Sequence, residues 1–200
     1  MAKANWVKVN PAQGSGDANV NVSSNTEHTG RVLRTTVLTW KAANVADVPR
    51  TVNQAGKPEY VDIDDAASAD KGGKVVTISG VSNSKKLTFT LGTGELEITL
   101  PVSYTANSIN TDNGAAISGD PGAVAEYPFS IVINVPANDD ITAKSRQIIV
   151  TDDGGHRDVC LLTSAAGDAY VTVAEGPIEL DWQGSPVTIA VQSNTTWTIE

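Results

Sequence analysis

Two histidines, His28 and His156, are where zinc or acid–base chemistry would have to begin. Each stands in its own polar stretch, with no second His or Cys at ligand spacing. Two acidic runs, Asp62-Ile63-Asp64-Asp65 and Asp152-Asp153-Gly154-Gly155, hold enough carboxylate to suggest calcium. Neither follows the ligand spacing of an EF-hand loop, and Asp-Gly between alternating stretches is a hairpin-turn signal. The remaining acidic residues fall at turns, where solvation accounts for them, so no carboxylate pair stands out for general acid–base work. The sequence holds no nucleophile elbow and no phosphate-cradling glycine loop. Its one cysteine, Cys160, lies in the alternating run Asp158-Val159-Cys160-Leu161-Leu162 and reads as a buried strand thiol. A single thiol also fits folding in a reducing cytoplasm. The expectation is a non-enzyme with no catalytic residue, no metal ligands and no cofactor.

Aromatic side chains are the remaining route to a ligand, because a sugar face can stack on an exposed indole. Trp6, Trp182 and Trp197 lie in strand-like stretches and are expected in cores. Trp40 ends its strand beside Lys41, where the second copy of the pattern described below has Asp152, so it is expected at the surface. It is the one candidate ligand-binding residue, for stacking a glycan. Arg34 and Arg146 recur at strand starts and read as sheet-edge caps or local partners.

The elements that must position these residues are strands. Val20 and Val22, the run from Arg31 to Trp40, and Leu96, Ile98, Leu100 and Val102 all alternate apolar with polar, the period of a half-buried strand. Pro101 marks the last of these as an edge. Residues 108–125, rich in Gly, Asn and Asp, read as a long mobile loop. No window of helical length holds a 3.6-residue period. A self-similarity orders the whole chain. Val20-Asn21-Val22 answers Ile133-Asn134-Val135, Asn25 answers Asn138, and Arg34 answers Arg146. Gly56 answers Gly167, Tyr60-Val61 answers Tyr170-Val171, and Ser82-Asn83 answers Ser193-Asn194. The fold class expected is all-β, as tandem immunoglobulin-like β-sandwich repeats.

The short motifs resemble those of the BACON family, Ig-like modules associated with Bacteroidetes and with carbohydrate binding. The matching residues are Ser193-Asn194-Thr195-Thr196-Trp197, the run from Trp6 through Pro11 to Gly14 and Gly16, the Asn…Arg pairs, and Gln54-Ala55-Gly56. The middle repeat departs from the pattern, with Leu87 near the first Trp position and Ala165 in place of the Gln. The resemblance implies tandem modules on exported bacterial enzymes or, without an export signal, on phage virions.

Three units follow: 1–60, the back strands of one repeat; 61–170, a complete repeat; and 171–200, the front strands of another. A formal charge of −9 spread along 200 residues disfavours nucleic acid and anionic membrane as partners. The start, MAKANWVKVN, has no apolar core of a secretory signal, and no stretch approaches a membrane span. These readings favour a virion protein assembled in the host cytoplasm: a decoration, head-fibre or tail component. The alternative is a carbohydrate-binding module of a glycan-degrading system, secreted or at the bacterial surface. Expected partners are other virion proteins or copies of the chain itself, joined by strand complementation of 171–200 on 1–60, and bacterial surface or mucus glycans. A chain that continues into its next repeat is the other way to complete 171–200.

Overall fold

A computed structural model describes residues 3–200. The chain forms strands β1 (Val7–Asn10), β2 (Asn21–Ser24), β3 (Arg34–Trp40), β4 (Val48–Gln54), β5 (Val61–Ile63), β6 (Ala66–Ala69), β7 (Lys74–Ser82) and β8 (Leu87–Gly94). There follow β9 (Ser103–Ala106), β10 (Ile109–Asp112), β11 (Tyr127–Val135), β12 (Lys144–Asp152), β13 (Arg157–Ser164), β14 (Val171–Val173) and β15 (Val191–Ser193). The one helical element among the described residues is a 3-10 turn, Pro121–Ala123, and no helix there is long and apolar enough to cross a membrane.

Strands β5–β13 make two layers. One sheet runs β10-β9-β11-β7-β5 and the other β6-β13-β12-β8. The pairs are antiparallel except β13 with β6, which is parallel. Strict alternation puts the core between the layers: in β11, Tyr127, Phe129, Ile131, Ile133 and Val135 are buried, and Pro128, Val132 and Asn134 between them are exposed. They face Leu87 and Phe89 of β8, Ile148 and Val150 of β12, and Cys160 and Leu162 of β13 in one continuous apolar cluster. Phe89 packs tilted on Tyr104 at 5.0 Å and edge-on to Phe129 at 5.9 Å. Both buried phenols are tied, Tyr127 donating to Ser84 O at 2.8 Å and Tyr104 accepting from Leu87 N at 3.3 Å.

Two stretches depart from the sequence reading. The alternating residues 95–102 form no ladder. Leu96 is buried and Ile98 and Leu100 pack on the core, but Val102 is exposed and Pro101 offers no donor. The region 108–125 is no free loop. It supplies β10, and Asn113 bonds the backbone of Phe89 on both sides, accepting from its N at 2.7 Å and donating to its O at 3.0 Å. Gly114 N then donates to Leu87 O (3.0 Å) and Ile117 N to Lys85 O (2.9 Å), and Ile117 is buried. Polar turn residues here spend their side chains on a sheet edge, which composition does not reveal. In hydrogen exchange the amides of Gly114 and Ile117 are expected to exchange much more slowly than those of residues 187–190; equal rates would mean that the anchoring is not persistent.

Cys160 is buried as expected, and burial, with the charges of Asp64, Asp158 and Asp65 adding to it, pushes its thiol up to about 11. The thiol should therefore ignore disulfide reagents in the folded protein and react after denaturation. An unfolded thiol ionises near its ordinary value of 9.0 while the folded one stays protonated, so this contribution to stability is whole below pH 9 and is lost as pH rises toward 11. Urea melts across that window should show stability falling by about 2–3 kcal/mol more than in Cys160→Ala; parallel curves would refute the assignment.

Candidate functional site

The acidic runs are occupied by structure. Asp158 and Asp64 accept backbone N–H bonds from Ile63 (2.7 Å) and Ser79 (2.8 Å), pinning the start of the first sheet. Asp152 is buried in the β12–β13 hairpin and accepts from His156 N (2.8 Å) and His156 Nδ1 (2.9 Å). Gly155 takes the positive φ of 88° that this turn needs. Asp153 is held below the usual carboxylate range by Lys86 and then Lys85, at 2.6 and 3.0 Å. His28 bonds Val32 O through Nε2 at 2.6 Å. Among the described residues no three His, Cys, Asp or Glu side chains gather as metal ligands would.

Both recurring arginines are internal fasteners. Arg34 lies over the Trp6 ring at 4.6 Å and donates to Gln54 Oε1 (2.9 and 2.7 Å), Thr26 O (3.1 Å) and Thr26 Oγ1 (3.0 Å). Arg146 donates to Leu96 O at 2.9 Å and Gly92 O at 3.3 Å. Trp40 is exposed, at 42 %. It borders a cleft of about 500 Å³ between the β3–β4 hairpin and the loop after β1, with Val9, Ala12, Gln13, Leu38 and Lys41. A second hollow shares Val9, Ala12, Gln13, Gly14 and Trp40 with the first and is also lined by Pro11, Ala18 and Val20. Trp6 is half-buried, but Trp182 (92 % exposed) and Trp197 (47 %) are in no core. Periodicity names the face a side chain takes, and here nothing among the described residues covers that face.

Sequence reasoning missed the best-built polar site, at Asn83. Its side chain is fully buried and accepts from Tyr60 N (3.0 Å) while donating to Thr29 O (3.2 Å), Lys57 O (3.3 Å) and Pro58 O (3.1 Å). One amide thus ties the end of β7 to two segments of 1–60. Ser82 Oγ adds a bond to Tyr60 O at 2.7 Å. Around it, Arg31 forms a two-pronged pair with Asp120, which strengthens its hold on its proton, and reaches Asn83 O at 3.1 Å. Arg31 N and Val32 N donate to Gly122 O and Ala123 O at 2.9 and 3.1 Å. A Cβ on Gly30 would overlap the Val124 backbone, so only glycine allows this approach. The region 108–125 is thus a docking surface for 1–60.

The same site recurs at Asn194. It accepts from Tyr170 N at 3.0 Å and donates to Asp139 O and Asp168 O at 2.9 Å each, and Ser193 Oγ bonds Tyr170 O at 2.9 Å. Thr29 and Asp139, Pro58 and Asp168, Tyr60 and Tyr170 are each 110 residues apart. Other bonds keep this spacing. His28 to Val32 O matches Asn138 to Thr142 O, and Lys57 N to Gly30 O matches Gly167 N to Asp140 O. Arg34 pairs with Gln54 as Lys144 pairs with Ser164. The sequence pairing is corrected at four places: Asn138 does the work of His28, not of Asn25; Lys144 stands for Arg34; Gly167 stands for Lys57; and the counterpart of Trp40 is the buried Val150, not Asp152, since Trp40 faces Val48 as Val150 faces Asp158. At the Asn, Arg and Gly pairings, identical letters one to three positions away drew the eye from residues with the same bonds.

Scanned against models of known protein families and against curated proteins, the sequence matches none of either. Asn83→Ala is expected to strand one donor and three acceptors and lower the unfolding free energy by about 2–4 kcal/mol, against less than about 1 for the more exposed Asn194→Ala. Urea denaturation of both variants checks this, and equal losses would remove the special place given to Asn83.

Proposed function

We propose that the chain is a non-enzymatic structural protein: a string of Ig-like, BACON-type repeats that forms a decoration, head-fibre or tail component of a phage virion. The observation that carries the reading is the junction built twice, at Asn83 and Asn194, with three shared bonds whose backbone partners stand 110 residues apart. A bonded junction in place of a slack linker holds successive units in fixed relation, as a fibre or spacer requires. In this reading 1–60 is a partial repeat, 61–170 a complete one and 171–200 the start of the next. The virion assignment leans on the motif resemblance and on the acidic surface.

A second reading has a specific observation behind it. Trp40 beside an open cleft is what a carbohydrate-binding module of an exported glycan-degrading system would present. Two measurements separate the readings. Antibody against the chain should label particles in electron micrographs, and the chain should stay with them through a density gradient. A glycan array should give no signal. Micromolar binding to one polysaccharide, abolished in Trp40→Ala and without particle association, would transfer the function to the second reading.

A further inference from the structure

One broad face of the complete middle unit is almost free of charge. It is the outer face of the sheet β6-β13-β12-β8, made by the positions that alternate with the buried Ala69, Cys160, Ile148 and Phe89. Those positions hold threonine, serine, glutamine, glycine and aliphatic residues, and a single charge, Arg157, stands at the hairpin end. At the centre the aliphatic side chains adjoin. Ile149 is opposite Val159 and Leu161 opposite Ala66, and Val159 and Leu161, successive on one strand, are 38 and 44 % exposed. The face is also level. A Cβ on Gly92 would meet Gln147 Cβ at 2.8 Å and Ile149 Cδ1 at 3.0 Å, so both side chains lie across β8, and Thr93 Oγ1 holds Gln147 Oε1 at 3.0 Å.

The other outer face of the unit has no such patch. There Val132 is opposite Thr77 and Val75 opposite Asn134, and the flanking strands carry Asp62 and Asp112. The β3–β4 hairpin of 1–60, the counterpart of β12–β13, repeats the neutral surface: its outward pairs are Thr35 with Asn53, Val37 with Thr51 and Thr39 with Pro49. Lack of charge on this side thus belongs to the repeat and not to one strand.

The neighbouring units are fastened at the two poles, through Asn83 and Asn194, so the face lies along the flank of the string. A charged partner would have to leave its charges unpaired against Leu161 and Val159. Two copies of this chain carry −9 each and repel one another least where both sides are free of charge. A twisted sheet is matched in shape by another of the same hand, the two packing about 10 Å apart with strands within about 30°. We infer that this face is an isologous contact between two copies of the chain, sheet on sheet, about a two-fold axis near Leu161. Four strands, the longest of nine residues, offer roughly 500 Å² a side and roughly 1,000 Å² in all. That is the lower limit of a specific interface, so a single contact is weak and reversible, and it gains strength where several act together along a string. The contact uses neither the junctions nor Trp40, so it stands or falls independently of both functional readings.

The test compares the full chain with Leu161→Asp, Leu161→Lys and, on the other outer face, Val132→Asp, all at exposed positions. Circular dichroism melts should show the three variants folded like the parent. In sedimentation velocity at about 0.5 M salt, which screens the repulsion between copies, the parent and Val132→Asp should pass from monomer to dimer between about 10 and 500 µM. Each Leu161 variant alone should associate at least about tenfold more weakly, because a charge is then buried against an apolar face. An equimolar mixture of the two Leu161 variants at low salt should dimerise again, since the axis sets position 161 against itself. A parent that stays monomeric throughout that range overturns the inference. A dimer that survives in both Leu161 variants, or that Val132→Asp abolishes, overturns it by assigning assembly to another surface. A mixture that stays monomeric removes the two-fold axis, and the inference with it.

Discussion

The organisation of this chain depends on one buried amide. A loop that leaves a sandwich carries backbone groups that must be satisfied, and two loops meeting at one pole double the need. Asn83 answers it with a side chain that offers donor and acceptor together. A carboxylate could not donate to Thr29, Lys57 and Pro58, and a hydroxyl could not reach all of them. The Arg31–Asp120 pair and the 3-10 turn then seal the site from water. Asn194 makes three of these four bonds without that cover, and it is only half-buried.

This clamp changes what Trp40 means. The indole is exposed because its neighbours on the sheet are few, and the cleft beside it has the place of a sandwich interior with one side open. An apolar wall of that kind attracts a strand face or a sugar face by the same loss of wetted area. What distinguishes the occupants is directionality: a strand would also satisfy the unpaired N–H and C=O groups along β3, and a glycan would bond them only in part.

How much was legible depends on whether a signal was local. The strand that ends at Trp40 and the Asp-Gly turn after Asp152 are local signals, and both appear as read. The repeat was visible as well, yet its register slipped wherever function and letter parted company, as with His28 and Asn138. The docking role of 108–125 was invisible, since the glycines and asparagines that fasten it are those that loosen a loop elsewhere. Alternation in 95–102 overstated a strand because the pattern records which side faces the core, not whether a ladder partner exists. Trp182 and Trp197 mark the same gap from the other side.

The parallel pairing of β6 with β13 has a mechanical consequence. The chain enters the body at the pole of Asn83 and leaves it at the opposite pole after Ser164. The second strand after the entrance, β6, lies directly beside the last strand before the exit, β13, joined from Leu161↔Ala66 to Ser164↔Ala69 and continued by Leu161 N to Asp65 O (2.9 Å) and Ala165 N to Ala69 O (3.0 Å). Tension along the chain therefore pulls these two neighbours in opposite directions along their own axes. Their hydrogen bonds carry the load together in shear and do not open one after another like a zip. A body connected this way resists stretching far better than its small ladder would suggest, and it would yield first at its junctions.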